Sequence, residues 1–435
     1  MRLRHLLAIV TVVMVGAAER VVLAQTSNFF VAPLESTSTV PSGAGGATAG
    51  AMKAGDPVPG GATAVAAGTY HSCLLTDTGG VKCWGDNDYG ELGDGTYTDR
   101  SSPVDVTGLA SGVTALAPGR EFTCALTSGG AVMCWGHNRY GNLGDGTIGT
   151  YSSRSTPGIV AGLASGSEAV VAGDRHTCAV TSGGGVKCWG SNSYGQLGDG
   201  TTTERTTPVD VSGLASGAVA LAVGRTGFHT CALTGSGGVK CWGSNSNGQL
   251  GDGTTTDRLT PVDVSGLASG VVALAAGNSH TCALTSGGGV KCWGSNGYGQ
   301  LGDGTATQRL TPVDVTGLTS GAVGIADSAS NHTCALTSGG GVKCWGLNSS
   351  GQLGDGTTTQ RSTPVAVVGL AGAVIGVTDG GTHACAVSTD GGVQCWGSNA
   401  FGQLGDGATA IRLVPGDVSG LPGGISTVTA GGTHT

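Results

Sequence analysis

Short apolar runs recur along the chain and alternate with glycine-rich and polar stretches. Each repeat of the pattern begins with small apolar residues, such as Val272–Ala276, and continues with a run of the type HTCAVT, a glycine turn and a run of the type GVKCWG. A long polar loop and a short PVDV run complete the unit. Short runs of β-branched, aromatic and small apolar residues bounded by glycine are typical of β-strands. The pattern therefore predicts four strands per unit and no helix.

The central hairpin of this unit occurs seven times and contains every cysteine and tryptophan of the chain. In each copy nine residues separate two cysteines, and a tryptophan follows the second. Successive first cysteines lie 51 to 54 residues apart, which is typical of propellers and solenoids. The pairs are Cys73 with Cys83, Cys124 with Cys134, Cys178 with Cys188, Cys231 with Cys241, Cys282 with Cys292, Cys334 with Cys344 and Cys385 with Cys395.

The spacing of the cysteines favours one disulfide per hairpin. If the hairpin is symmetric about Gly183, Cys178 lies directly opposite Cys188, at a separation that a disulfide can bridge. Two alternatives are buried free thiols and a zinc site that adds the histidine two residues before the first cysteine, such as His176. A structural zinc site needs four ligands, and the second copy has Phe122 at the histidine position. We therefore expect seven local disulfides.

Seven four-stranded units predict an all-β fold, a seven-bladed β-propeller of four-stranded antiparallel blades with disulfide-stapled hairpins. In a propeller each blade buries its faces against its neighbours, and the small apolar first strand suits the crowded position near the axis. An open β-solenoid is the alternative, but its coils are usually shorter and parallel. We expect the propeller to occupy residues 64–435.

The third copy, GVKCWGSNSYGQLGDGTTTERTTPVDV, resembles the regulator-of-chromosome-condensation repeat, whose hallmarks are W-G-x-N, G-Q-L-G and a downstream proline. The resemblance covers all seven copies. It implies a seven-bladed propeller, in agreement with the number of units. The cysteine pair departs from the commonest intracellular pattern of that family and suits a secreted, bacterial-type member.

The start of the chain has the features of a secretory signal over residues 1–24. Arg2 and Arg4 precede an apolar run from Leu6 to Val15, and Ala24 closes a plausible cleavage site. The run is shorter than the about 18 residues that a membrane span needs. Paired cysteines suit an oxidising compartment. We therefore expect a secreted protein, extracellular or periplasmic, without a membrane span.

Two further segments flank the repeats. Residues 25–63 are rich in Ser, Thr, Gly, Ala and Pro and are expected to form a low-complexity linker. Its apolar patch, Asn28–Val31, either adds a strand to the ring or is an exposed tail, and the tail is favoured. At the other end, Ile425–Ala430 begin an incomplete eighth unit. This strand either closes the ring as a clasp or reflects a truncated sequence; truncation is slightly favoured, with the ring still able to close.

Composition and motifs narrow the function. Among 435 residues only 11% are charged and the net charge is −8, so the chain lacks the basic stripe of a nucleic-acid-binding protein. It has no P-loop, dinucleotide glycine fingerprint, HExxH or nucleophile elbow. We therefore expect no enzyme activity, cofactor or metal. The Asp of each L-G-D-G and the Arg before each Pro are expected to brace the long loop; a ring of anion or calcium sites is the sharper alternative.

Binding residues are expected where the units differ. In an up-down-up-down blade, the loops after the first and third strands open on one face, and these loops carry variable aromatic and charged residues. Tyr and Arg are favoured at protein interfaces, although aromatics can also merely pack between neighbouring loops. The candidate binding residues are Tyr70, Tyr89, Arg120, Glu121, Tyr140, Tyr151, Arg175, Tyr194, Arg225, Phe228, Tyr298 and Phe401.

These features favour a monomeric, non-enzymatic protein-interaction module whose partner is another protein or a cell-surface ligand. The resemblance adds an inhibitor-like mode, because one secreted relative in the family covers the active site of β-lactamases with such a face. It also implies a different function, guanine-nucleotide exchange on a small GTPase. Binding of carbohydrate or a cell surface by the aromatic ring is a third hypothesis.

Overall fold

The computed structural model describes residues 29–31, 62–224, 227–327, 331–419, 428 and 430–432. Within these ranges the chain forms 29 strands and one turn of 3-10 helix, Thr150–Ser152. No helix in these ranges is long and apolar enough to cross a membrane. The first strand, β1, is Phe29–Val31.

The other 28 strands form seven sets of four. Blade one contains β2 (Ala62–Ala67), β3 (His71–Thr76), β4 (Val81–Gly85) and β5 (Arg100–Asp105). Blade two contains β6 (Val113–Pro118), β7 (Phe122–Thr127), β8 (Val132–Gly136) and β9 (Arg154–Ile159). Blade three contains β10 (Ser167–Ala172), β11 (His176–Thr181), β12 (Val186–Gly190) and β13 (Arg205–Asp210). Blade four contains β14 (Ala218–Val223), β15 (His229–Thr234), β16 (Val239–Gly243) and β17 (Arg258–Asp263).

The last three blades repeat the pattern. Blade five contains β18 (Val271–Ala276), β19 (His280–Thr285), β20 (Val290–Gly294) and β21 (Arg309–Asp314). Blade six contains β22 (Ala322–Asp327), β23 (His332–Thr337), β24 (Val342–Gly346) and β25 (Arg361–Ala366). Blade seven contains β26 (Val374–Asp379), β27 (His383–Ser388), β28 (Val393–Gly397) and β29 (Arg412–Asp417). Strands neighbour one another in chain order and pair antiparallel, so the predicted seven-bladed propeller is confirmed.

The central hairpin of each blade has the predicted register. In blade three, Cys178 lies opposite Cys188 and Val180 opposite Val186. All seven cysteine pairs form disulfides across ten positions, with Cα atoms 4.1 Å apart. The predicted staples are therefore confirmed, and each closes a short loop and contributes at most about 2–3 kcal/mol. The bonds join Cys73 to Cys83, Cys124 to Cys134, Cys178 to Cys188, Cys231 to Cys241, Cys282 to Cys292, Cys334 to Cys344 and Cys385 to Cys395.

In blades two to seven, a buried tryptophan joins the blade to the one before it. The Trp242 indole is fully buried and donates a 2.9 Å hydrogen bond to the Gln196 carbonyl oxygen of blade three. The Thr230 hydroxyl donates to the same oxygen at 3.0 Å and also lies 3.0 Å from His176 Nε2. Burial lowers the pKa of His176 to about 4, so the ring is neutral at pH 7. Because the Thr230 hydroxyl already donates its proton to Gln196, it accepts a hydrogen bond from His176 Nε2–H. The tryptophan of the C-W motif, the histidine and threonine of the H-T motif and the backbone of the G-Q-L-G motif thus meet at one contact between neighbouring blades. We call this contact a seam.

The indole-to-carbonyl bond recurs at five further seams. It links Trp135 to Glu91, Trp189 to Asn142, Trp293 to Gln249, Trp345 to Gln300 and Trp396 to Gln352. Each tryptophan also fills the apolar core of the preceding blade, among its cysteines, valines and leucines. One side chain therefore supplies both the packing and the hydrogen bond of each seam.

The repeated Asp and Arg brace the long loop, as predicted. In blade three Arg205 binds Asp199, whose other oxygen accepts hydrogen bonds from the Thr201 backbone and hydroxyl. Burial alone would raise the pKa of Asp199, but the hydrogen bonds from Thr201 and Arg205 hold it below its ordinary value. The remaining pairs are Arg100–Asp94, Arg154–Asp145, Arg258–Asp252, Arg309–Asp303, Arg361–Asp355 and Arg412–Asp406.

The seam between blade seven and blade one differs from the others. Trp84 of blade one is fully buried, but its Nε1 has no hydrogen-bond partner among the described residues. The described part of the eighth unit lies at this seam: Gly431 O accepts from Gly381 N of blade seven at 3.1 Å, and Gly432 N donates to Gly68 O of blade one at 3.4 Å. Gly431 and Gly432 therefore contact both blades at this seam. Residues 425–427 and 429 lie outside the described residues.

The N-terminal apolar patch requires a correction. Phe29–Val31 were expected in an exposed tail, but they pair antiparallel with β22, the first strand of blade six, with Phe29 opposite Ala326. The first strand of a blade has an unpaired edge, and an extended segment can satisfy its backbone groups. Blade one also begins at Ala62, two residues before the predicted start. The signal segment 1–24 lies outside the described residues.

We predict that Trp242→Phe destabilises the protein more than Trp84→Phe does. Both changes remove the same atoms from a buried site, but only Trp242 loses a hydrogen bond, which is worth about 1 kcal/mol. The midpoints of urea unfolding measure the difference. Equal losses at the two positions, or a larger loss at Trp84, would contradict the description of the two seams.

Candidate functional site

The loops of blades one to three form a charged cleft. Arg120 and Glu121 follow the first strand of blade two, and Asp174 and Arg175 follow the first strand of blade three. The loops after the third strands of blades one and two add aromatic and polar groups. Together they enclose a cavity of about 170 Å³. Its lining residues are Tyr89, Arg120, Glu121, Phe122, His137, Arg139, Tyr140, Asn142, Asp174 and Arg175.

One buried carboxylate organises the positive charges of this cleft. Asp174 lies 2.9 Å from Arg175 Nε and 3.6 Å from Arg120 Nη1. Its side chain is 5% exposed, whereas those of Arg120 and Arg175 are 38% and 35% exposed. Burial raises the pKa of Asp174, and the two guanidinium groups oppose that rise. Asp174 therefore holds two arginines whose outer faces remain open to solvent.

A second chain of contacts runs from blade two to blade one. Glu121 Oε2 lies 2.8 Å from His137 Nδ1, and Glu121 Oε1 lies 3.3 Å from Arg120 Nε. The hydrogen bond from His137 is the main reason that the pKa of Glu121 falls below its ordinary value, and Arg120 adds to the effect. The His137 ring stacks on Tyr89 with centroids 4.1 Å apart. The cleft is therefore a connected network rather than separate surface side chains.

Cations and aromatic rings alternate along the far side of the cleft. The Arg175 guanidinium lies 4.8 Å from the Tyr140 ring centroid and 5.8 Å from that of Phe228. Phe228 stacks in turn on Tyr194, with centroids 5.0 Å apart. Arg139 lies 5.6 Å from the Tyr140 centroid, and among the described residues it has no acidic partner. Such cation–π contacts hold arginines in place while leaving their N–H groups available.

Glu91 lies buried beside this network. It stands where five other blades have glutamine, and it is 1% exposed. Its Oε2 accepts a hydrogen bond from Tyr89 N at 2.9 Å. Burial raises the pKa of Glu91 to about 8, and Asp86 and Glu121 contribute through like-charge repulsion. Glu91 is therefore largely protonated at neutral pH.

The cleft is suited to recognising polar groups on a larger partner. Small-molecule pockets usually enclose about 300–1,000 Å³, and this cavity is smaller and lined mainly by charged and aromatic side chains. Arginine N–H groups can bind carboxylates or carbonyl oxygens of a partner, and the rings can stack against it. The lining contains no serine, cysteine or lysine that could act as a nucleophile.

The candidate residues are distributed unevenly over the ring. Tyr89, Arg120, Glu121, Tyr140 and Arg175 line the cleft, and Tyr194 and Phe228 adjoin it. The Tyr70 side chain contacts Arg120. The others lie apart: Tyr151 is fully exposed in the long loop of blade two, Tyr298 and Phe401 are exposed in blades five and seven, and Arg225 lies outside the described residues.

Sequence comparison among the units missed four residues in or beside this site. His137 and Arg139 stand where most units have serine or another small residue, and Glu91 stands where most have glutamine. Asp174 lies in a loop identified as variable, but it was not chosen. His137, Arg139 and Glu91 are recognisable in the sequence by their departure from the consensus of the units, whereas Asp174 lies in a loop that differs in every unit.

Comparisons with known proteins identify the family. A family model described as the RCC1-like domain matches residues 149–435, and models of the regulator of chromosome condensation (RCC1) repeat match residues 62–91, 113–142 and 78–126. This chain belongs to the RCC1-like family. The ultraviolet-B receptor UVR8 of Arabidopsis thaliana is 33% identical over 362 residues, which cover 82% of this chain and 81% of the receptor.

Other relatives share only the RCC1-like part or the fold. The human E3 ubiquitin-protein ligase HERC2 is 32% identical over 82% of this chain, which corresponds to 8% of the ligase. Human WBSCR16 matches with a TM-score of 0.67 at 23% identity, covering 81% of this chain and 98% of that structure. Yeast RCC1 (Prp20) bound to Kap60 matches with a TM-score of 0.65 at 24% identity, covering 78% and 83%. These structural similarities support the RCC1-like propeller fold.

We predict that Glu91→Gln removes a pH dependence from the stability of this RCC1-like propeller. The folded pKa of about 8 exceeds the ordinary value of 4.5, so across this window the folded protein keeps a proton that the unfolded chain loses. The free energy of unfolding therefore falls as pH rises from 4.5 to 8. In buffers free of divalent cations, the melting temperature of the wild type should fall relative to that of Glu91→Gln as the pH rises from 4.5 to 8. If the melting temperatures of the two proteins change with pH in parallel, the conclusion that Glu91 is a buried, protonated carboxyl group is wrong.

Proposed function

We propose that this protein is a protein-interaction module that binds its partner through the cleft formed by blades one to three. The observation that carries the proposal is the network of Asp174, Arg120 and Arg175 with its flanking aromatic rings. Tyr and Arg are the residue types most often found at interface hot spots, and pre-positioned side chains lose little entropy on binding. The same loops in blades four to seven lack such a network of charges among the described residues.

The family supports a binding function without naming the partner. Yeast Prp20 is described as bound to Kap60 and as having binding properties to Gsp1p and histones, and those partners belong to that protein. Fold does not determine function, so the partner must be sought through the cleft. The proposed module is not an enzyme, and an inhibitor-like action follows only if the partner is an enzyme whose active site the cleft covers.

We further propose that the protein is secreted. Seven disulfides are expected in an oxidising compartment and are rare in the cytosol. The signal-like residues 1–24 support the same location. The competing hypothesis is guanine-nucleotide exchange on an intracellular small GTPase. Acceleration of nucleotide release from a panel of small GTPases would favour that hypothesis over secretion.

We predict that single substitutions in the cleft weaken partner binding while matched substitutions elsewhere do not. The partner is captured from the extracellular fraction of the source organism, identified by mass spectrometry, and titrated against purified variants. Arg175→Ala and Tyr140→Ala should each weaken binding at least about tenfold, as expected for hot-spot residues. Tyr298→Ala and Phe401→Ala replace exposed aromatics of the equivalent loop in blades five and seven, and they should leave the affinity unchanged.

The reverse pattern of affinities would move the interface away from the cleft. If Tyr298→Ala and Phe401→Ala weaken binding and the cleft variants do not, the aromatic ring of the later blades is the binding surface. A glycan array then tests the carbohydrate hypothesis, with the Tyr298→Ala variant as control.

We predict that the mature protein begins near Gln25 and carries seven local disulfides. Intact mass under reducing and non-reducing conditions should differ by 14 hydrogens, because all 14 cysteines are paired. Peptide mapping should join each first cysteine to the cysteine ten positions on. Free thiols together with an uncleaved N-terminus would contradict secretion and favour the intracellular exchange-factor hypothesis.

A further inference from the structure

Three carboxylates of blade one meet at the start of its long loop. Asp86, Asp88 and Asp99 each offer one oxygen, and these oxygens lie within 4.8 Å of one another. Calcium binds carboxylate oxygens at about 2.3–2.6 Å, so two oxygens on one ion lie at most about 5 Å apart, and the three carboxylates meet this condition. Asp88 and Asp99 are exposed and Asp86 is partly buried, which leaves room for water to complete the coordination.

The local sequence provides these oxygens from a tight turn. Asp86 and Asp88 flank Asn87, and Gly90 follows with a φ of 87°. Asp99 Oδ1 accepts a 2.9 Å hydrogen bond from Asn87 N, so its position is set by the backbone and its second oxygen remains for a ligand. Alternating carboxylates followed by glycine are typical of loops that wrap a calcium ion.

Blade four shows that the carboxylates at 86 and 88 are not needed to fold this loop. Asp257 occupies the place of Asp99 and accepts a 2.8 Å hydrogen bond from Asn245 N. The positions of Asp86 and Asp88, however, are filled by Ser244 and Ser246. The loop therefore forms in the same way with a single carboxylate, and the two additional acids of blade one require another explanation.

Glu91 provides an independent observation next to the three carboxylates. In four blades the glutamine at this position points its Nε2 at the serine five residues earlier, with distances of 3.3–3.4 Å. Glu91 keeps the backbone contact through Oε2, which leaves Oε1 in the place of that Nε2, facing Asp86. Oε1 is buried and has no hydrogen-bond partner within the described part of the chain. Blade one thus has a buried carboxyl group with an unpartnered oxygen where four other blades have a neutral glutamine–serine pair.

Nearby basic residues do not neutralise these acids. Arg100 follows Asp99 in sequence, but it binds Asp94 with Nε at 3.0 Å and Nη2 at 2.8 Å. Among the described residues no Lys, Arg or His forms an ion pair with Asp86, Asp88, Glu91 or Asp99. Like charges gathered without a counter-ion destabilise the folded state, and a bound cation would relieve the repulsion.

We propose that Asp86, Asp88 and Asp99 bind a calcium ion on the loop face of blade one, with the buried carboxyl group of Glu91 behind Asp86. The donors are all oxygens, which selects hard cations over zinc or copper. Calcium is favoured over magnesium because exposed, unevenly spaced carboxylates suit its flexible geometry, whereas magnesium requires a near-ideal octahedron. The affinity should lie in the range of extracellular calcium modules, with a Kd of about 10⁻⁴–10⁻³ M.

The site is separate from the partner-binding proposal, although the two are neighbours. Tyr89 lies between Asp88 and Gly90 and stacks on His137 at the edge of the cleft. Calcium bound to Asp86 and Asp88 would fix the backbone on which Tyr89 sits. Calcium binding itself can be measured without any knowledge of the partner.

The test uses the full chain, first treated with EDTA and then dialysed. Isothermal titration with CaCl₂ should show one site per chain, and a calcium concentration about tenfold above Kd should raise the melting temperature by about 2 °C. MgCl₂ at the same concentration should have a much smaller effect. No saturable binding up to 10 mM CaCl₂ (about tenfold above the weakest expected Kd), or an equal response to magnesium, would overturn the calcium assignment.

Variants locate the ion. Asp88→Ser introduces the residue found in blades three, four and six, and it should weaken calcium binding at least tenfold while the melting temperature without calcium stays the same or rises. Asp257→Asn in blade four is the matched control and should leave binding unchanged. Calcium binding that survives Asp88→Ser would overturn the proposed site.

A transplant provides the complementary gain of function. Ser244→Asp, Ser246→Asp and Gln249→Glu together reproduce the blade-one acids around Asp257, and the stoichiometry of calcium binding should rise from one to two. This result would support the proposal even if Asp88→Ser were too unstable to purify. A stoichiometry that stays at one would contradict the proposal. A protein that is stabilised by mild acid but not by calcium would show that Asp86 and Glu91 hold a proton between them and that no calcium ion binds there.

Discussion

The fold depends on a single carbonyl oxygen at each of six seams. That oxygen, from the residue before Leu-Gly-Asp-Gly, accepts hydrogen bonds from the tryptophan of the following blade and, at most of these seams, from a threonine hydroxyl as well. At four seams a histidine of the blade that supplies the carbonyl contacts this threonine hydroxyl through Nε2. Because the groups are buried, each missing bond would leave an unsatisfied polar atom, and the seam therefore constrains the C-W, H-T and G-Q-L-G motifs together.

The constancy of the seams leaves the loops free to differ. Replacing glutamine at the seam by Glu91 changes only the side chain, because the contact between blades uses the backbone. Blade one thereby gains a buried acid, and blades two and three gain the arginine–aspartate network without a change in strand register. The buried acid and the charged network are therefore concentrated on three adjacent blades of a nearly uniform ring.

Much of this architecture could be predicted from the sequence because it repeats. Seven copies of one spacing predicted the strands, the cysteine pairing and the Asp–Arg brace. The network around Asp174 could not be predicted, because it joins loops of different blades whose relative positions depend on the ring. The pairing of Phe29–Val31 with β22 was missed for a similar reason: three apolar residues carry no signal for a partner almost 300 residues away.

The central claim is that the partner binds across blades one to three. Hydrogen–deuterium exchange of the protein alone and in complex with its captured partner tests this claim most directly. We expect protection of the loops 119–121, 137–142 and 173–175 and unchanged exchange in the equivalent loops of blades five to seven. Protection confined to the later blades, or spread evenly around the ring, would contradict it.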